Sequence, residues 1–259
     1  MHHLRFALFV SVGLFAGMML MLEIGRRLGD RVERVDPEGA HAGTGPVEGA
    51  VFALLGLLVA FSFSGAAARF DARRDLIVEE ANAIGTAYLR LELVPAVARA
   101  ELRELFRAYL DARLETYRSF PQLDAVRDAL ARTERLQATI WSKSIDACRD
   151  AGPQPCAILL LPALNAMIDV TTTRTAASRM HPPDVILWLL CGLGLGCAVL
   201  AGYSMASGHH RKWTHMIAFA AVMALTVYVI LDLEFPRLGF IRVDEFDRVL
   251  VELRASMDH

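Results

Sequence analysis

Residues Val47 to Arg90 read VEGAVFALLGLLVAFSFSGAAARFDARRDLIVEEANAIGTAYLR, and this segment is the most informative about the fold. Its first half is apolar apart from Glu48, and no proline separates it from the charged second half. A helix rising about 1.5 Å per residue crosses an oil layer of about 30 Å with the first half and projects from it with the second. We therefore expect one rigid helix that joins a membrane to a domain in water.

Three further runs have the length of a spanning helix and almost no charge. They are Leu4–Leu22, Asp184–Met205 and Thr214–Leu231. Backbone amides in lipid must be bonded internally, so runs without strand alternation predict helices. The first run also has the apolar character of a cleaved export signal, but no small-residue cleavage site follows it, which favours a span that stays in place. The predicted fold is all-α with four transmembrane helices.

A helical extramembrane bundle is predicted between the second and third spans, over residues 69–183. Its first helix continues the second span, because apolar residues recur there at alternating steps of four and three, as in a helix packed along another helix. These residues are Ile77, Ala81, Ile84, Tyr88 and Leu91. Further helices are expected over Ala96–Ser119, Gln122–Cys148 and Ala157–Arg179, with prolines before the first and after the last. The first and fourth helices should lie side by side.

These elements divide the chain into four parts. Residues 1–68 hold the first two spans, 69–183 the bundle, 184–233 the last two spans, and 234–259 a short tail. The tail contains an amphipathic pattern over VDEFDRVLVELR, residues 243–254. We expect this helix to dock on a membrane surface or on the bundle.

Composition excludes several classes of function. The 259 residues are 54% hydrophobic with a net charge of -2, which argues against a nucleic-acid-binding surface. Phosphate-binding loops and the usual zinc motifs do not occur in the sequence. No nucleophile, base and orienting group stand at a telling spacing, so we expect neither an enzyme nor a cofactor or metal site.

Two of the four cysteines stand at either end of a short turn-rich loop. Cys148 and Cys156 bracket RDAGPQP, which is able to bring the two sulfurs within bonding range. A disulfide there would indicate an oxidising compartment, and two free thiols are the alternative. Cys191 and Cys197, in the third span, are interpreted as small apolar fillers.

The arginines of the short loops favour an orientation in a bacterial inner membrane. Six basic residues of these loops fall on the side opposite the bundle: Arg26, Arg27, Arg31, Arg34, Arg211 and Lys212. Since cytoplasmic loops carry the excess of Lys and Arg, this distribution predicts an extracytoplasmic bundle. Counting the arginines where the bundle begins would reverse that balance.

Polar residues interrupt the apolar faces at three places. They are Glu79, Glu80 and Asn82 in the first bundle helix, Asn165 and Asp169 in the fourth, and Asp232 at the end of the fourth span. Carboxylates with amides suit a hard cation, or a clasp between Glu80 or Asp169 and an arginine such as Arg74 or Arg174. A solvated helix face is the simpler interpretation. Asp232 either reaches water at the membrane edge or pairs with an arginine.

The second span carries rings and hydroxyls that would suit the wall of a pore. The candidates for pore lining are Phe52, Phe61, Ser62, Phe63 and Ser64. Rings that face a common axis in an oligomer form a hydrophobic constriction, although packing in a core is the commoner use of Phe. Arg69, Arg73 and Arg74 follow at the expected pore mouth, where they would attract anions.

Three blocks of the sequence resemble a known family. They are GLLVAFSFSGAAARFDARRDLIVEEANAIGTAYLR at 56–90, LLPALNAMIDVTTTR at 160–174 and LDLEFPRLGFIRV at 231–243. Together they are similar to the bacterial bestrophin-like domain family. Its distant analogy to bestrophins implies a pentameric anion channel with four spans per subunit, a helical insert, and a hydrophobic neck from the second span. The chain departs from bestrophins in its shorter length, in lacking a recognisable acidic calcium clasp, and in the side predicted for its insert.

The leading functional hypothesis is a homo-oligomeric ion channel with a pore lined by the second span. Its expected partners are the lipid bilayer, further copies of the chain and an inorganic ion, with anions suggested by the bestrophin analogy. The alternative is a non-conducting membrane scaffold or sensor whose bundle binds a partner.

Overall fold

The computed structural model describes residues 2–35, 45–150, 153–206 and 213–258, and these residues form α-helices with short connections. In chain order the helices are α1 (His2–Val35), α2 (Gly45–Leu89), the 3-10 helix η1 (Arg90–Leu93), α3 (Ala96–Arg118), α4 (Leu123–Asp150), α5 (Pro153–Arg179), α6 (Asp184–Ser204), α7 (Trp213–Glu234) and α8 (Arg248–Ser256). The described residues contain no strand, so the all-α prediction is confirmed. Arg211 and Lys212, which entered the orientation argument, lie outside the described residues.

Four helical stretches are long and apolar enough to cross a membrane, as predicted. They include α1, the apolar part of α2, α6 and α7, and each contains a strongly apolar window with few charges. The chain is therefore a helical membrane protein. Helix α2 is unbroken from Gly45 to Leu89, which confirms the helical continuity predicted across the apolar and charged halves of residues 47–90.

The chain divides into two compact units. The span unit comprises residues 1–70 and 181–240, and the bundle unit comprises residues 71–180 and 241–259. Helix α2 begins in the first and ends in the second. Residues 234–259, which the sequence predicts to be one tail, fall in both units. Those up to Phe240 belong to the span unit and the rest to the bundle unit.

Within the span unit, α1 packs against α6 and α7, and glycines set the closest approach. A Cβ added to Gly25 of α1 would lie 2.0 Å from the carbonyl oxygen of Val199. One added to Gly202 of α6 would lie 2.1 Å from the carbonyl oxygen of Leu22. Small residues let helix backbones touch where lipid removes the usual hydrophobic drive for association. The α1–α6 contact therefore depends on glycine at both positions.

The bundle unit has an apolar core assembled from every one of its helices. The seam predicted on α2 contributes to it, because Ala81, Ile84 and Leu91 are buried in this core and Tyr88 packs against it, while Ile77 is buried on the same face of the helix. Phe106 and Leu110 of α3, Ile140 of α4 and Leu160 of α5 complete it. Helical periodicity in the sequence identified this buried face correctly.

The C-terminal helix α8 belongs to the same core. Leu250 and Met257 are buried with the core residues of the other helices. The carbonyl oxygen of Met257 accepts hydrogen bonds from Tyr88 Oη at 3.2 Å and from Arg107 Nε at 2.9 Å. Of the two docking surfaces expected for the tail helix, the structure shows the bundle.

Candidate functional site

Helix α2 is the least covered of the four candidate spans. Only 11% of its most apolar window is buried within the chain, compared with 28%, 28% and 50% in the other three. The few buried positions, Leu55 and Ala66, lie on one face. Because successive residues are turned by about 100°, Leu57, Ala60 and Ser64 lie on the opposite face. We call this exposed side of α2 the outward face, and the side that carries Leu55 and Ala66 the inward face.

The pore-lining candidates separate into two groups. Phe61 is 68% exposed and Phe63 45% exposed, and Ser64 is also exposed. Phe52 instead packs edge to face against Phe219 of α7, with ring centroids 6.1 Å apart. Ser62 lies on the inward face near Leu55 and Ala66, and its buried Oγ has no hydrogen-bond partner among the described residues.

Each of the three predicted mouth arginines has a partner in its own chain. Arg69 pairs with Glu234 within the span unit. Arg73 donates from Nε to the carbonyl oxygen of Ala177 at 3.2 Å and from Nη2 to that of Met180 at 2.8 Å. Arg74 lies 3.7 Å from the carboxylate of Asp71, with its guanidinium over the Phe246 ring at 5.0 Å.

Glu234, at the end of α7, is the acceptor that holds Arg69. Its side chain is almost fully buried, and Arg69 Nε donates to its Oε1 at 2.9 Å while Arg69 Nη2 also contacts it. His181 Nδ1 lies 3.7 Å from the other carboxylate oxygen, and the His181 ring stacks on Phe235 with centroids 4.7 Å apart. One carboxylate thus connects α2, α7 and the segment before α6.

The side chain of Asp232 binds the backbone of the turn that follows α7. Its carboxylate oxygens accept from the backbone N–H of Phe240 at 3.0 and 3.1 Å, and Tyr228 Oη donates to it at 3.3 Å. A Cβ at Gly239 would lie 1.8 Å from Asp232 Oδ1, so the turn needs glycine there. Asp232 is buried, and the described contacts join it to a backbone N–H and a tyrosine, two partners that the sequence did not indicate.

Three buried charged residues form an ionic cluster in the bundle unit. Glu80 of α2 is fully buried and accepts from Arg113 of α3 and Arg174 of α5. Tyr117 Oη donates to Glu80 Oε2 at 3.2 Å, and both guanidinium groups lie against the Tyr117 ring. Arg174 Nη2 also donates to Asp247 of the tail at 2.8 Å. One carboxylate of α2 is thereby linked to three other segments.

Charge pairing determines the protonation states in this cluster. Burial by itself would raise the pKa of Glu80, but the charges of Arg113 and Arg174 and their hydrogen bonds hold it below its ordinary value. Burial lowers the pKa of each arginine, and the opposing influence of Tyr117 and Glu80 leaves both raised. The cluster therefore remains ionised at neutral pH.

The remaining clasp candidates lie on the surface of the bundle unit. Glu79 and Asn82 of α2 line a groove of about 330 Å³ against α5, with Thr86 and Arg90 beside them and Pro162, Ala163 and Ala166 opposite. Asn165 Nδ2 donates to Asp169 Oδ2 at 2.8 Å, and both residues are exposed. The structure thus places Glu80 in the buried cluster and the other four bundle candidates at the surface.

Cys148 and Cys156 are joined by a disulfide. Both are buried in the bundle core, and the bond connects the end of α4 to the beginning of α5. Cys191 and Cys197 are free thiols in α6. Within the described ranges, no three His, Cys, Asp or Glu side chains are grouped to hold a metal ion.

Several residues of these clusters were missed in the sequence. The Glu80–Arg174 pair follows from the expectation of a clasp, but Arg113 stands in a helix with four other arginines, none of them buried, and has no local signal of burial. A partial signal existed for Tyr117, since it stands one helical turn after Arg113. The close contacts of Gly25 and Gly202 carry no sequence signal beyond the presence of glycine in an apolar helix.

Comparison with known proteins identifies the family. A model of the bestrophin-like domain matches residues 6–245. The fold is similar to crystal structures of a bacterial bestrophin homologue from Klebsiella pneumoniae. One point variant has 14% identity and a TM-score of 0.72, covering 96% of this chain and 99% of that one. A second variant has 16% identity and a TM-score of 0.71, covering 95% and 98%.

A third structure of the homologue, solved by zinc phasing, has 15% identity and a TM-score of 0.68, covering 96% of this chain and 98% of that one. At these identities the likeness concerns the fold alone. No curated protein sequence shows a significant match. Since the family model extends over nearly the whole sequence, the chain belongs to the bestrophin-like domain family.

Proposed function

We propose that the protein is a homo-oligomeric ion channel whose pathway is lined by the outward face of α2. The observation that carries this proposal is the low coverage of an unbroken apolar helix by the rest of its own chain. Such a helix must be covered by lipid or by further copies. Ala60 and Ser64 permit close approach of neighbouring helices, and the exposed ring of Phe61 is wide enough to narrow a shared axis.

Membership of the bestrophin-like family supports the same function, because bestrophins form channels with a neck from the second span. Phe61 and Ser64, on the outward face, are the residues that we propose for the narrow part, whereas Phe63 lies about 100° from Ser64 around the helix. Phe52 and Ser62 have inward positions that suit packing of α2 against its own chain. The resemblance to bestrophins favours anions as the permeant ions.

We further propose that the bundle unit is the extramembrane insert and lies outside the cytoplasm of a bacterial cell. Two independent features support this orientation. The disulfide between Cys148 and Cys156 would persist in an oxidising compartment. The arginines that follow the first span, on the opposite side, fit the positive-inside rule. Alkylation of thiols in intact cells, before and after reduction, tests the assignment.

The channel function is tested by ion flux through purified protein in liposomes. We expect conductance above that of empty liposomes, with a reversal potential in asymmetric KCl that reports an anion preference. Phe61→Ala should change the conductance about tenfold, because it removes a ring from the proposed constriction. Leu225→Ala is the matched control, since Leu225 is an exposed apolar residue of α7.

Two results would contradict the proposal. One is the absence of conductance over a range of salts and voltages, with protein shown to be folded. The other is a monomer in mild detergent and in lipid, because a single set of four spans leaves no room for a pathway along α2.

A further inference from the structure

The inward face of α2 ends at one charged residue, Arg69. At about 100° per residue around the helix axis, Arg69 lies about 40° from Leu55 and about 140° from Ser64. Its side chain is one third exposed, and its guanidinium reaches Glu234 at the end of α7. Glu234 is only 3% exposed, so the carboxylate is held away from water.

Removing a paired cation from a buried carboxylate has a high free-energy cost. Rotating α2 so that Arg69 faced a shared axis would separate its guanidinium from the buried Glu234 carboxylate, and breaking a buried ion pair is strongly destabilising. The contact of Phe52 with Phe219 limits rotation nearer the other end of the span. The two contacts together determine which residues form the outward face.

We infer that Glu234 is a positioning residue, which fixes the rotation of α2 through Arg69 and thereby presents Phe61 and Ser64 to the pathway. This inference rests on the proposed function for its consequence in conduction. It gives Arg69 a different role from the one that its sequence position suggests. Arg69 orients the helix and does not attract ions at a pore mouth.

The orientation of α2 is measurable without any assumption about conduction. Single cysteines are introduced by Ser64→Cys on the outward face or by Ala66→Cys on the inward face, in protein where Cys191 and Cys197 are replaced by alanine. In detergent, N-ethylmaleimide should label the first variant about tenfold faster than the second, because thiol reactivity requires access. Ala66 is fully buried, which makes it the matched inward position.

Glu234→Gln should bring the ratio of the two labelling rates close to one, and Arg69→Gln should do the same. The exchange Arg69→Glu with Glu234→Arg should restore the ratio, which a general loss of folding would not allow. Asp71→Asn is the control, because it removes a carboxylate from an exposed position two residues after Arg69. Its ratio should equal that of the parent protein.

Two results would overturn the inference. One is an unchanged labelling ratio in folded Glu234→Gln protein. The other is an Arg69→Gln variant that changes the reversal potential while its labelling ratio stays constant, because Arg69 would then act directly on ions. If no variant conducts but the ratio still responds to Glu234→Gln, the proposed channel function fails and the orienting role of Glu234 is supported.

Discussion

The helices of the span unit and the helices of the bundle unit are packed by different kinds of contact. In the span unit, the closest contact between α1 and α6 is backbone against backbone, at Gly25 and Gly202. The bundle unit has a core of large apolar side chains and, in addition, a fully buried pair of charges, Glu80 and Arg113. Lipid-facing helices gain little from burying apolar surface, so close fit decides their association. A bundle with a hydrophobic core can include charges, provided that they are paired.

The largest effect is expected in the ionic cluster of the bundle unit. Glu80→Gln removes the charge shared by Arg113 and Arg174 and should cost about 3 to 5 kcal/mol, because two buried cations lose their counter-ion. Glu79→Gln, at the exposed neighbouring position, should change stability by less than about 0.5 kcal/mol. Unfolding in urea measures both. Similar losses from the two substitutions would show that burial of Glu80 is not the cause.

The next largest effect is expected at the close contact between α1 and α6 in the span unit. Gly202→Ala should destabilise the protein by about 3 kcal/mol, because the new methyl group would meet the backbone of α1 and neither helix can move away without losing other contacts. Thermal unfolding in detergent, followed by size-exclusion chromatography, measures this loss.

Gly192→Ala is the control for that experiment. Gly192 lies in the same helix, and no atom lies within 4 Å of the position that its new methyl group would take, so alanine there should be neutral or slightly stabilising. Equal stability of the two variants would mean that the α1–α6 contact is looser than the structure shows.

The disulfide should contribute less than the ionic cluster. Replacing both Cys148 and Cys156 by alanine should destabilise the bundle unit by about 2 to 3 kcal/mol, since the bond closes only a short loop of the unfolded chain. Cys191→Ala, in the span unit, should have a much smaller effect. A melting temperature that does not change on reduction of the parent protein would contradict the expected contribution.

The smallest expected effect is a loss of folding stability at acidic pH. Because the pKa of Glu80 is lower in the folded protein than its ordinary value of 4.5, the unfolded chain binds more protons at acidic pH. This contribution to stability is complete above pH 4.5 and is lost as the pH falls towards the pKa of the folded state. The melting temperature of the parent protein should therefore fall more steeply below pH 4.5 than that of Glu80→Gln. Parallel curves would assign the acid sensitivity to other carboxylates.

Much of the fold was predictable because it follows from local periodicity. The lengths of the apolar runs gave the candidate spans, and the spacing from Ile77 to Leu91 gave the face of α2 that is buried in the bundle unit. The site was less predictable. Phe52 and Phe61 have the same side chain in the same span, and only the neighbouring α7 distinguishes the packed ring from the exposed one.

The helical class, the candidate membrane spans and the unbroken course of α2 are readable from the residues alone, because backbone hydrogen bonding and apolar length act within one segment. Three features depend instead on how the helices pack: Arg69 pairs with Glu234, Glu80 is shared by Arg113 and Arg174, and Gly25 and Gly202 touch the opposite backbone. These contacts join residues far apart in the chain. Their partners depend on how whole helices pack and on which charges that packing leaves buried.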